Sequence, residues 1–369
     1  MSQKGNRRTN AVAMLILVSM LVLSACTTGT KTNTEKPAST TVANEKEKNE
    51  ENSGKKDKKI KIGFSMDTLQ EERWQRDRDY LVAKGEELGA EVLVQSANGD
   101  DAKQIAQSEN LISQGVDILI VVPHNADAAA AIVEKAHAAG IKVIAYDRLI
   151  TNSDVDLYIS FDSILIGELQ AKTVVEQVPK GNYVLIGGAD TDYSAHLYKQ
   201  GQMNVLQPLV DKGDIKIVYD QWTKDWNPAV ALANMENALT ANNNQIDAVI
   251  ATNDGTAGAA IQALEAQNMA GKVPVSGLDA ELAACQRVVE GTQLMTVYTS
   301  IKDMAEAAAV AAIKLVNDEQ VETNSTENNG KVDVPTILLA PVAATKDTMD
   351  DTVIAEGFHK KEDVYRNVK

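Results

Sequence analysis

The sequence predicts an α/β protein built as two doubly wound lobes with parallel sheets. Short apolar runs alternate with amphipathic stretches from about residue 60 onward. Glycines close the amphipathic stretches, and the whole scheme restarts after residues 158–161. Alternation of this kind cannot be a helical bundle or a β-sandwich, because each strand is followed by a helix that must cross over it.

The first 25 residues stand apart from that pattern. Lys4, Arg7 and Arg8 form a positive start, and residues 11–23 are an apolar run too short to span a bilayer comfortably. The run ends in Leu23-Ser24-Ala25-Cys26. That tetrapeptide resembles the lipobox of bacterial lipoproteins, in which a diacylglyceryl group is attached to the cysteine sulfur. Two acyl chains give stable membrane anchoring where one gives marginal anchoring. The expectation is a signal peptide over 1–25 and a lipid on Cys26, which places the chain outside the cytoplasm and tied to the cell membrane.

Residues 26–59 then read as a tether. From Thr27 the segment has no aromatic residue and is rich in Lys, Glu, Thr and Asn, so it cannot bury enough apolar surface to order itself. As a coil it reaches roughly 30 Å on average.

The folded unit begins near Ile60. Strands are expected at 60–65, 92–95, 118–122 and 142–145, separated by helices at 75–88, 102–113 and 127–139. Gly89, Gly115 and Gly140 each stand just past a helical stretch, where a left-handed residue ends a helix at least cost. In the second block, strands are expected at 183–187, 215–220, 248–251 and 273–276, with helices at 195–209, 228–239 and 257–266. The alanine-rich stretch 304–316 reads as a helix returning to the first lobe, and 336–339 as a strand returning to the second.

Composition removes several function classes. The chain has 369 residues, 36 Lys+Arg against 52 Asp+Glu and a formal net charge of −16. A nucleic-acid partner needs a basic face, so none is expected. Cys26 and Cys285 cannot build a disulfide framework, and the four histidines show no metal-ligand spacing. Gly187-Gly188 is not followed by a phosphate-loop pattern. Neither a metal nor a cofactor is expected, and Cys285 reads as an inert buried thiol.

Parallel α/β lobes bind ligands outside the carboxyl ends of their strands. Those ends carry Arg73-Trp74, Tyr146-Asp147-Arg148, Trp222 and Trp226, Thr252-Asn253-Asp254 and Gly277-Leu278-Asp279. Only 4% of the chain is aromatic, so three tryptophans at such edges carry information. Flat aromatic faces beside carboxylate, guanidinium and amide groups suit a ring with hydroxyls on its rim, because each hydroxyl both donates and accepts. Trp222 reads as a packing residue and Trp226 as the stacking candidate. Asn253 serves equally as a helix cap.

At these residues the chain resembles the sugar receptors of ABC transporters, in the type I periplasmic-binding-protein superfamily, and the D-xylose-binding branch in particular. Glu72-Arg73-Trp74-Gln75, Ala145-Tyr146-Asp147-Arg148, Tyr158-Ile159-Ser160-Phe161-Asp162 and the stretch 235–244 carry the likeness. The resemblance implies two lobes joined by three crossover segments, with 60–161 and 300–335 in the N-terminal lobe and 162–299 and 336–369 in the C-terminal lobe. It implies D-xylose as ligand, a transporter permease as partner and a monomeric receptor. By motif, Arg73, Trp74, Asp147, Arg148, His196, Trp226, Asn253 and Asp279 fall on or beside sugar-contacting positions. Two positions depart from the family's pattern. His196 stands where Lys or Arg is common, and Thr299 where a long Lys or Gln side chain usually closes the pocket. Two other outputs fit the same cleft: a surface sensor feeding a signalling partner, and a secreted sugar-acting enzyme. The enzyme needs an acid–base pair or a metal that the sequence does not display.

Overall fold

A computed structural model describes residues 59–368. The leader, the Cys26 site and the tether up to residue 58 lie outside the described residues.

The first block folds as β1 (Lys61–Met66), α1 (Glu72–Glu87), β2 (Glu91–Ser96), α2 (Asp101–Ser113), β3 (Ile118–Val121), α3 (Ala130–Ala138), β4 (Lys142–Tyr146) and β5 (Leu157–Phe161). Helix α1 starts three residues earlier than the periodicity predicts, which puts Arg73 and Trp74 in its first turn. The second block comprises α4 (Ser163–Gln177), β6 (Gly181–Ile186), α5 (Tyr193–Asp211), β7 (Ile215–Gln221), α6 (Pro228–Ala241), β8 (Ala248–Ala251), α7 (Asp254–Ala266), α8 (Leu282–Glu290) and β9 (Met295–Tyr298). Helix α9 (Ile301–Val316), strands β10 (Ser325–Asn328), β11 (Asp333–Leu339) and β12 (Val342–Thr345), and the short α10 (Lys361–Val364) complete the chain.

Seven strands form the first sheet in the order β10-β11-β5-β4-β3-β1-β2, parallel except for β10. The order reverses between β1 and β3, the switch point at which doubly wound sheets open a crevice. Side chains alternate between the faces, so Ile62, Phe64, Ile118 and Ile120 pack with α1 and α9, while Leu119, Val121 and Val143 pack with α3. The second sheet has the order β7-β6-β8. Val184 and Ile186 face α6 and α7, and Tyr183 and Leu185 face the opposite layer with α4 and α5.

Alanine-rich α9 returns to the first lobe as expected, packing on α1 and beneath β3, β4 and β5. Two element-level expectations change. The segment 273–276 forms a single ladder contact, Val275 with Val249, rather than a full strand. Pro274 has no N–H to give, and Gly277 lies so close to Asp254 that a Cβ there would sit 2.0 Å from its carboxylate oxygen. Residues 336–339 do not enter the second lobe. They pair in parallel with Tyr158–Phe161 of β5, burying Thr336 fully, and the chain crosses only afterwards to pair β12 with β9. The apolar run Ile337-Leu338-Leu339 suits either sheet, and only the open edge of β5 decides.

Candidate functional site

Helix periodicity sets the inner face of α1, where Arg73, Trp74, Asp77, Leu81 and Gly85 are buried at spacings of three and four. Asp77 lies one turn beyond Arg73 and takes its Nε at 3.4 Å. The other Asp77 oxygen accepts from the hydroxyl of Tyr146, the last residue of β4. With Nε held, the two remaining nitrogens of Arg73 diverge: Nη2 donates to Asp147 Oδ1 at 2.9 Å and Nη1 to Asp279 Oδ1 at 3.3 Å. Asp147 follows β4 in the first lobe and Asp279 belongs to the second, so one guanidinium joins both.

Arg148 repeats the device. Its Nη1 donates to Asp67 Oδ2 at 2.7 Å, just past β1, and to the Pro123 carbonyl at 3.2 Å. Its Nε meets Asp192 Oδ2 across the cleft at 2.8 Å. The same Asp192 oxygen accepts from Trp226 Nε1 at 3.1 Å. The ring of Trp74 lies 4.2 Å from the Arg73 guanidinium carbon and 5.1 Å from that of Arg148, a cation–π arrangement away from bulk water.

Three of these residues adopt left-handed backbone: Asp147 (φ 64°), Trp226 (φ 54°) and Asp279 (φ 95°). For residues other than glycine this costs about 1–3 kcal/mol each and persists where surroundings over-determine it. For Asp147 the surroundings are explicit. Its N–H donates to Ile159 O at 2.7 Å, and its carbonyl accepts from Tyr158 Oη at 2.9 Å, Ser160 Oγ at 2.7 Å and Ser194 Oγ at 3.3 Å. Trp226 packs where a Cβ on Gly188 would come within 2.2 Å of its ring. The glycine pair before α5 therefore makes room for an indole, not a phosphate.

Electrostatics follow from burial. Burial pushes the Asp192 and Asp279 carboxyls up, with Arg148 and Arg73 pulling them back. Asp77 is pushed up to about 7 by burial against the opposing pull of Arg73. Asp254, also driven up to about 7 by burial and by Asp279, accepts from Gln293 Nε2 at 2.7 Å, Thr296 Oγ1 at 2.9 Å and the Glu281 N–H at 3.0 Å. Two guanidiniums face five carboxyl groups, those of Asp67, Asp77, Asp147, Asp192 and Asp279. The site therefore favours a neutral ligand over an anion.

Arg73, Trp74, Asp147, Arg148, Trp226, Asn253 and Asp279 line a single cavity between the carboxyl edges of the two sheets. Asn253 caps a helix and lines the cavity. Its Oδ1 caps α7 by accepting from Thr256 N at 2.9 Å, and its amide nitrogen is left without a protein partner among the described residues. His196 and Thr299 do not line the cavity. His196 lies exposed on the first turn of α5, bonded to Asp190 O at 2.9 Å and packed on Trp222. The helix turns its Ser194, Ala195 and Tyr198 face inward and His196 outward. Thr299 is buried in the crossover between β9 and α9. Its short side chain does not reach the cavity.

Glu71, Asp192, Tyr198 and Leu278 line the cavity without having been singled out. Asp192 had a readable signal. It sits past the carboxyl end of β6 and caps α5, its Oδ1 accepting from Ser194 N at 2.9 Å. Among the described residues no group of His, Cys, Asp and Glu is placed to hold a metal ion. Cys285 is fully buried and its thiol is pushed up by burial.

A family model described as a periplasmic binding protein domain matches residues 62–320. The chain is 53% identical over 308 residues to the D-xylose-binding periplasmic protein of Haemophilus influenzae, covering 84% of this chain and 93% of that one. It is also 53% identical over 307 residues to the D-xylose-binding periplasmic protein of Escherichia coli, covering 83% and 93%. A solved carbohydrate transporter solute-binding protein from Chloroflexus aurantiacus, in complex with D-glucose, superposes with a TM-score of 0.79 at 33% identity, over 83% of this chain and 98% of that one. These relatives are named as binding proteins, not as enzymes.

Proposed function

Because this chain belongs to the periplasmic binding protein family, we propose that it is an extracytoplasmic receptor that captures D-xylose and delivers it to an ABC transporter permease. The observation that carries the reading is the cavity between the lobes, in which Arg73 and Arg148 each hold carboxylates from both sides while Trp74 and Trp226 present aromatic surface. A pyranose fits this chemistry. Its hydroxyls donate to Asp147, Asp192 and Asp279 and accept from Arg73, Arg148 and the Asn253 amide, and its apolar ring faces lie against indole.

Selectivity follows from shape and from unpaired groups. A cleft closed around a five-carbon pyranose leaves no space for the exocyclic hydroxymethyl of glucose. Ribose inverts one hydroxyl and leaves a buried partner unsatisfied, at about 1–3 kcal/mol. Calorimetric titration against a pentose and hexose panel tests this, and D-xylose is expected to bind tightest. Equal affinity for glucose or ribose overturns the xylose assignment and leaves a sugar receptor.

We propose further that the receptor is held at the membrane by a lipid on Cys26. Replacing Cys26→Ser is expected to abolish lipid labelling and normal processing. Labelling that survives in the variant removes Cys26 as the site.

A further inference from the structure

We propose that His124 is a positioning residue for this cleft: its ring spans the lobes between Asp67 and Asp225, and its protonation tightens ligand binding. The inference rests on the ligand-binding reading of the cleft above.

His124 follows β3 and is fixed by its own N–H, which donates to Gln104 Oε1 at 3.0 Å. Its Nδ1 lies 2.9 Å from Asp67 Oδ1. The other oxygen of Asp67 holds Arg148, which in turn holds Asp192 and through it the Trp226 indole. The ring thus stands at the outer end of a relay whose inner end lines the cavity. On its other side, Nε2 lies 3.9 Å from Asp225 Oδ1, in the second lobe, and 3.9 Å from Asp101 Oδ1, at the start of α2.

The charged groups facing this ring are therefore Asp67, Asp101 and Asp225, opposed by Arg148 and by Lys224, whose Nζ lies 3.9 Å from the other Asp225 oxygen. Three carboxylates against one guanidinium and one ammonium favour the imidazolium. Its pKa is held above the ordinary value, chiefly by the close contact with the Asp67 carboxylate and against the effect of burial. Asp67, Asp101 and Arg148 all belong to the first lobe and stay with the ring whether the cleft is open or closed. Asp225 does not: it arrives with the second lobe. Asp225 and Trp226 are consecutive left-handed residues (φ 55° and 54°), so the carboxylate facing His124 and the indole in the cavity are set by one rigid turn.

Closure brings an additional negative charge to the ring and raises its proton affinity. By reciprocity, protonation favours closure, so ligand binds more tightly below the pKa of His124 than above it. Because Asp225 is partly exposed, the expected effect is about two- to fivefold in Kd.

Two measurements decide the matter. In the first, D-xylose is titrated at about pH 5.5 and about pH 8, values that bracket histidine ionisation. The ratio of the two Kd values is expected to be about two- to fivefold larger in the wild type than in His124→Gln. Asp77 and Asp254 titrate in the same window, but they are unchanged in the variant and cancel in the comparison. In the second, the His124 ring is followed by NMR through the same pH range with saturating D-xylose, which holds the cleft closed, in the wild type and in Asp225→Asn. Asparagine tolerates the left-handed backbone at this position, and the His124 pKa is expected to fall in the variant. An identical Kd ratio in wild type and His124→Gln, or a His124 titration indifferent to Asp225→Asn, overturns the proposal. Failure of D-xylose to bind at either pH sinks the xylose receptor instead, and the NMR titration, run with the tightest-binding sugar of the panel, still decides the contact between His124 and Asp225.

Discussion

Arg73 and Arg148 are useful at the cleft because neither is free to leave it. Each buried guanidinium has carboxylates on two sides and lines the cavity. A hydrogen bond to a charged group contributes about 1.5–3 kcal/mol, so Asp279→Ala is expected to weaken ligand binding roughly 10- to 150-fold by calorimetry. His196→Ala is the control. An exposed side chain packed on Trp222 outside the cavity should leave Kd within about twofold, as surface substitutions usually do. A large loss at His196 with none at Asp279 contradicts this placement. At this scale the sequence displayed Arg73, Trp74, Asp147, Arg148, Trp226, Asn253 and Asp279, because each follows a recognisable strand end. Tyr198 was not legible, since an aromatic on the inner face of a helix looks the same whether it meets a core or a cavity.

Among the elements, the α4–α5 contact is the tightest in the second lobe and depends on absent side chains. A Cβ on Gly167 would sit 1.9 Å from Tyr198 O, and one on Gly201 would sit 2.0 Å from Ile164 O. Backbone at that separation cannot yield as a flexible side chain does, so the helices must move apart. Gly201→Ala is expected to destabilise the fold by about 1–3 kcal/mol, read as a lower thermal midpoint by circular dichroism. An unchanged midpoint contradicts this packing. Helix positions and stops were legible from apolar periodicity and the glycines that follow them. Boundaries were less so: Glu72 begins α1 ahead of its apolar stripe, and Pro274 with Gly277 reduces an apolar run to one ladder contact.

The whole molecule brings two sheet edges together at a hinge of three strands of chain. They pass near Phe161–Asp162, Thr299–Ser300 and between Leu339 and Val342. Bonds across the cleft, Arg73–Asp279, Arg148–Asp192 and the Ala126 N–H to Thr191 O at 3.2 Å, exist only when the edges meet. A ligand that contacts both lobes has its full affinity only in that arrangement, so it shifts the population toward closure. Small-angle scattering is expected to show a smaller radius of gyration with saturating D-xylose than without. Superimposable curves would contradict closure on binding.

By itself the sequence determined the class of fold, the strand ends that face the cavity and most of the side chains that line it. Local rules suffice for these: periodicity names the buried face, and the carboxyl end of a parallel strand names the place. Tertiary structure alone decided which edge 336–339 would extend, which turn of α5 would face inward, and that Asp192 would join Arg148 to Trp226. Those outcomes depend on which surfaces meet across tens of residues of chain, and across more than a hundred for 336–339, and no local pattern encodes a partner that distant.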